Sequence, residues 1–90
     1  MVLNVKEELL AQINSYLSNE ITKEAYYTIA EAYFTKHAQY IKNTAFYYEY
    51  INVIPDACLI FIDEPGLSSQ EKEKQFRLAL EMVYVRLKDL

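Results

Sequence analysis

A chain of 90 residues that holds one glycine and two prolines has very little material for tight turns. Sandwiches and small barrels need a turn residue every 8–12 positions or so, and this chain cannot supply them. The scarcity favours a few long helices joined by short breaks. Apolar residues at 52% and charged residues at 24% are the proportions of a soluble globular chain. The length is that of one domain, spanning residues 1–90.

Four segments repeat apolar residues at three- and four-residue spacing, the mark of one buried helix face. In the first, Leu3, Leu9, Leu10, Ile13, Tyr16 and Leu17 share a face, with Asn4 and Glu7 as a capping pair and Ser18-Asn19-Glu20 as the stop. The second opens at Thr22, with Ile21 and Tyr26 placed as a hydrophobic staple. Tyr26, Ile29, Ala30, Tyr33, Phe34 and His37 then follow the helical period. The third begins at Asn43 or Thr44 and runs through Phe46, Tyr50, Ile54, Cys58 and Phe61. Pro55 lies inside it, so a kink or a short break is expected there. Cys58 to Ile62 could also be read as a buried strand, but no second strand of equal strength exists to pair with it. Asp63-Glu64-Pro65-Gly66 forms the clearest loop. Ser68 and Glu71 open the last helix, which Phe76, Ala79, Leu80, Val83, Leu87 and Leu90 line. Short connections make neighbours antiparallel, so the expected fold is an all-α, compact, antiparallel four-helix bundle. Leu80→Ala and Ile29→Ala are each expected to cost about 2–5 kcal/mol.

Chemistry is thinly encoded. One Cys excludes an internal disulfide, and a single His excludes most histidine-based metal clusters. There is no glycine-rich phosphate loop, C-x-x-C or G-x-S-x-G. His37 and Cys58 could form a nucleophilic pair only with an orienting third group and an oxyanion hole. A Cys inside an apolar run is ordinarily a small core residue. The expectation is therefore no catalytic residue, no cofactor and no metal.

Nine Lys/Arg against thirteen Asp/Glu give a net charge of −4 and a pI near 4.9. That disfavours direct binding of nucleic acid, which needs a basic stripe, and fits a basic protein partner. The N-terminal stretch lacks the pattern of a signal peptide, and the longest apolar run is far short of a membrane span. The expected compartment is the cytoplasm, with no membrane contact. Tyrosine is the compositional anomaly: nine Tyr and no Trp. Adjacent helix residues point about 100° apart, so the doublets Tyr26-Tyr27 and Tyr47-Tyr48 must each send one ring towards the surface. Glu49 and Asp56 lie seven apart, on nearly one face of the third helix.

This layout resembles the bacterial immunity proteins of the colicin-like and contact-dependent inhibition type. The resemblance covers roughly residues 21–90: the ITKEAYYTIAEAYF helix, the YYEYINVIPDA helix, the FIDEPGLSSQEKEK turn and the final amphipathic helix. It implies a cytoplasmic inhibitor that binds a cognate toxin, a basic nuclease-like domain, and covers its active site. Carried over by position, Tyr47, Tyr48, Glu49, Asp56, Asp63 and Glu64 would supply the contact surface. The DNase-colicin group sets its tyrosine doublet directly before a proline, whereas EYINVI separates Tyr48 from Pro55 here. The alternative reading is a small helical interaction or regulatory module, with the Tyr face as a homodimer contact.

Overall fold

The computed structural model describes residues 4–63 and 65–90, with side-chain surroundings defined for all of them except 59–63. Its helices are α1 (Val5–Leu17), α2 (Lys23–His37), α3 (Ala45–Asp63) and α4 (Ser69–Lys88), with one 3₁₀ turn at Ala38–Tyr40. No strand occurs among the described residues, so the fold is an all-α four-helix bundle.

The helix starts follow local side-chain chemistry. Asn4 Oδ1 accepts from the Glu7 N–H at 3.0 Å. Thr22 Oγ1 accepts from Ala25 N–H at 3.1 Å, and Ser68 Oγ from Glu71 N–H at 3.1 Å. Each hydroxyl or amide satisfies one donor that the first turn leaves without a carbonyl. The Glu71 carboxylate accepts from Gln75 Nε2 at 2.9 Å. For α3 the capping group is Thr44, whose Oγ1 accepts from Tyr47 N–H at 3.1 Å.

Two asparagines make the turns that a glycine-poor chain must still make. Asn19 has φ 64° and Asn43 has φ 73°, both in the left-handed region. Asn tolerates that region better than other side-chain-bearing residues. At Asn19 the closure is a Schellman motif: Asn19 N–H bonds the Tyr16 carbonyl at 3.0 Å, and Glu20 N–H bonds Ser15 at 2.9 Å.

The core is one cluster. Leu9, Ile13 and Tyr16 from α1 meet Tyr26 and Ala30 from α2, Phe46, Tyr50 and Ile54 from α3, and Phe76, Leu80 and Leu87 from α4. At its centre Tyr16 and Phe76 pack edge to face at 5.2 Å, with Tyr26 about equally near both rings at 6.0 Å. Such pairs contribute about 0.5–1.5 kcal/mol beyond area burial. A polar clamp ties α1 to α4: the Tyr16 hydroxyl donates to Glu73 Oε1 at 2.7 Å. Arg77 donates to the Leu17 carbonyl at 2.9 Å and to Asn19 Oδ1 at 2.6 Å. The same guanidinium lies over the Tyr16 ring at 4.8 Å.

Several sequence expectations change. Ile29 fits the apolar spacing but is 44% exposed. The buried stripe of α2 runs through Lys23, Tyr26 and Ala30, and Ile29 lies about 100° from Ala30, on the outer side. Ile29→Ala therefore does not open the core. Leu90 lies beyond the end of α4 and is 49% exposed. Residues 58–62 are helical, so the strand alternative is wrong. The helix does not break at Pro55; α3 runs through it. Pro55 is exposed, which leaves its ring and missing N–H away from the packed face. Tyr50, read on the apolar run of the third helix, is 2% exposed. Leu3 and Phe61, expected in the core, lie outside the described residues or side chains.

Candidate functional site

The acidic, tyrosine-bearing surface expected on the third helix is divided by the helical wheel. At about 100° per residue, Tyr47 and Asp56, nine apart, point in opposite directions. Tyr47 turns to α2, where its ring stacks on Phe34 at 5.8 Å. Glu49 turns to α4, where Oε1 accepts from Arg86 Nη1 at 3.3 Å. Tyr48 stands on the crest between them, 51% exposed. It meets Tyr47 edge-on at 5.4 Å. Asp56 is exposed and shares the Glu49 side, as seven-residue spacing dictates. Asp63 and Glu64, the other two expected contact residues, lie outside the described side chains. The helix thus brings Tyr47 with Tyr48, and Glu49 with Asp56, as two groups rather than one patch. The carboxylate of Glu49 already has a cation.

A different feature emerges where α2 meets α3. These helices touch sparingly, and Phe34 is the main bridge, stacking on Tyr50 at 4.7 Å as well as on Tyr47. Beside that stack lies a cavity of about 190 Å³. Tyr27, Ala30 and Phe34 form its α2 wall, and Tyr50, Ile54 and Cys58 its α3 wall. Glu31, Thr35 and Pro55 complete the lining and are exposed, so they mark its open side. The lining includes one acid and no base. Tyr27, Glu31 and Phe34 stand at i, i+4 and i+7, hence on one face of α2. That spacing was present in the sequence, where Tyr26 and Ala30 drew the pattern towards the core instead.

Burial governs the ionisable groups around this cavity. Cys58 is 3% exposed. Burial pushes its thiol up to about 12, and the Glu31 carboxylate across the cavity adds to the rise. A thiol so protonated is a poor nucleophile. The phenols of Tyr26 and Tyr50 are also raised, burial being the largest cause for each. Their hydroxyls influence one another without meeting hydrogen-bond geometry. His37 does not complete a catalytic pair: its Nδ1 donates to the Tyr33 carbonyl at 3.0 Å and its ring stacks on Tyr33 at 4.1 Å. Among the described residues no group of three or more His, Cys, Asp or Glu side chains could hold a metal ion. None of the described helices is long and apolar enough to cross a membrane.

No family model, curated protein or solved structure matches this chain.

Proposed function

We propose that this protein works by covering another protein: an immunity-type inhibitor, acting in the cytoplasm, that binds a cognate basic toxin domain and blocks its active site without turning over a substrate. The observation that carries this reading is the aromatic α2–α3 surface: half-buried Tyr47 stacks on Phe34, a wall of an apolar cavity with the carboxylate of Glu31 on its open side, and exposed Tyr48 meets Tyr47 edge-on. Rings at a rim supply contact area at low entropic cost, and hydroxyl tips keep hydrogen bonds with water until the partner arrives. A nuclease site is basic because it binds phosphate. An acidic partner with a net charge of −4 speeds encounter with such a site and then excludes its substrate sterically. Asp56 supports this role as an exposed carboxylate. Glu49 can contribute only by exchanging Arg86 for a partner's cation.

The test is co-expression with the toxic domain encoded by the neighbouring reading frame. The expected result is restored growth and a one-to-one complex on size-exclusion chromatography. Tyr48→Ala with Glu49→Ala is expected to lose protection while keeping the helical circular dichroism signal. Full protection by that double variant removes the proposed surface.

A second reading, a self-associating module, draws on Leu78, Met82 and Val85. They stand at i, i+4 and i+7 on the outer face of α4, at 49%, 53% and 63% exposure. A stable dimer in sedimentation at low concentration, with no partner present, favours it.

A further inference from the structure

We propose that the α2–α3 cavity is a receptor for a single lysine or arginine side chain of a partner protein, the alkyl stem lying between the aromatic walls and the cation meeting Glu31. This inference rests on the reading of the molecule as a protein-binding one and adds the chemistry of its anchor.

Size, lining and charge all point to that occupant. About 190 Å³ is less than the roughly 300–1,000 Å³ of a site for a drug-sized molecule, and suits one long side chain. The walls are mainly apolar, and three of the six wall residues named above are aromatic: Tyr27, Phe34 and Tyr50. A methylene stem is at home against them. Ring faces also attract a cation within about 6 Å. Glu31 is the one charged group in the lining, and it forms no ion pair among the described residues. Lys36 lies nearby on the outer face of α2 and is not paired with it. The influence of the Glu31 carboxylate on the Cys58 thiol places its charge within electrostatic reach of the α3 wall. An acidic ligand would meet an unneutralised carboxylate here. A wholly apolar one would gain nothing from the Glu31 carboxylate at the open side.

The experiment is a titration of the ¹⁵N-labelled full chain, followed by NMR, with N-acetyl-arginine amide, N-acetyl-lysine amide and the neutral N-acetyl-norleucine amide. The cationic probes are expected to give saturable shifts at residues 27–35 and 50–58. Glu31→Gln, an exposed substitution, is expected to weaken them about fivefold, which is the scale of one solvent-accessible ion pair. Added salt is expected to weaken them in the same sense. Norleucine amide is expected to bind less tightly than either cation. Absence of saturable shifts in this region overturns the proposal. So does equal binding of norleucine amide together with indifference to Glu31→Gln, since the cavity is then a plain apolar slot. The probes need no toxin, so the two readings fail separately. Probe binding without toxin neutralisation leaves the receptor standing and removes the inhibitor reading; toxin neutralisation without probe binding does the reverse.

Discussion

Raising the pH above about 9 is expected to destabilise this protein steeply through groups its fold buries. The fold holds four weak acids in their protonated forms: Cys58 and the phenols of Tyr16, Tyr26 and Tyr50. Burial is the largest cause for each, and the hydrogen bond to Glu73 adds to it at Tyr16. In the unfolded chain they ionise at their ordinary values of 9.0 for the thiol and 10.0 for the phenols. Folded values above unfolded ones mean that the stabilisation is complete below pH 9 and drains away as pH rises. Each proton held only by the folded state removes about 1.4 kcal/mol per pH unit above the ordinary value. Summed over the four groups, the loss between about pH 9 and about pH 10.5 is on the order of 4 kcal/mol. A domain of this size holds only about 5–13 kcal/mol in all. Urea melts followed by far-ultraviolet circular dichroism at pH 7, 9, 10 and 10.5 measure this, with phenolate absorbance read in parallel. The expected result is a steep fall in midpoint above pH 9, with part of the phenolate signal appearing only on unfolding. A midpoint that stays flat to pH 10.5, or nine phenols titrating together in the folded state, refutes the reasoning.

Other perturbations follow from the packing. Leu80→Ala is expected to cost about 2–5 kcal/mol, because Leu80 is fully buried, while Ile29→Ala is expected to stay within about 0.5 kcal/mol; equal losses in denaturant melts contradict the assignment of faces on α2. Tyr16→Phe removes the bond to Glu73 and is expected to cost about 1.5–3 kcal/mol, with Glu73→Gln, which keeps an acceptor, costing less in the same melts. Gln12 is buried on α1 with both amide atoms lacking a hydrogen-bond partner among the described residues, so Gln12→Met is expected to raise the melting temperature; a drop shows that the amide has a partner. Alkylation of Cys58 is expected to be slow in buffer and rapid in denaturant, as burial and a raised thiol dictate.

How much of this was legible in the sequence depends on the range of the interaction. Asn4, Thr22 and Ser68 were readable as caps because each bonds an amide three residues on. The absence of strands followed from the shortage of turn residues and from the lack of any partner for residues 58–62. The faces of α2 were less secure: Tyr26, Ile29 and Ala30 all satisfy helical spacing, and only contact with Tyr16 and Phe76 settles which way the stripe leans. Burial of Lys23 beside Glu24, at 2.6 Å, runs against its polarity and left no local signal. Pro55 marked a break by its chemistry, yet its outward position lets α3 continue. The surface proved hardest to read. Glu49 looked available because Arg86, its partner, is 37 residues away in the chain. The cavity was invisible because it exists only where two helices fail to close on one another. Tyr27, Glu31 and Phe34 carry the helical spacing that could have flagged it.

The most direct test of the central claim is hydrogen–deuterium exchange on this protein bound to its toxin domain. Covering of the partner by the α2–α3 surface predicts new protection concentrated in residues 27–35 and 47–58, with the outer face of α4 unchanged. Protection confined to residues 78–85, or none on α2 and α3, contradicts it.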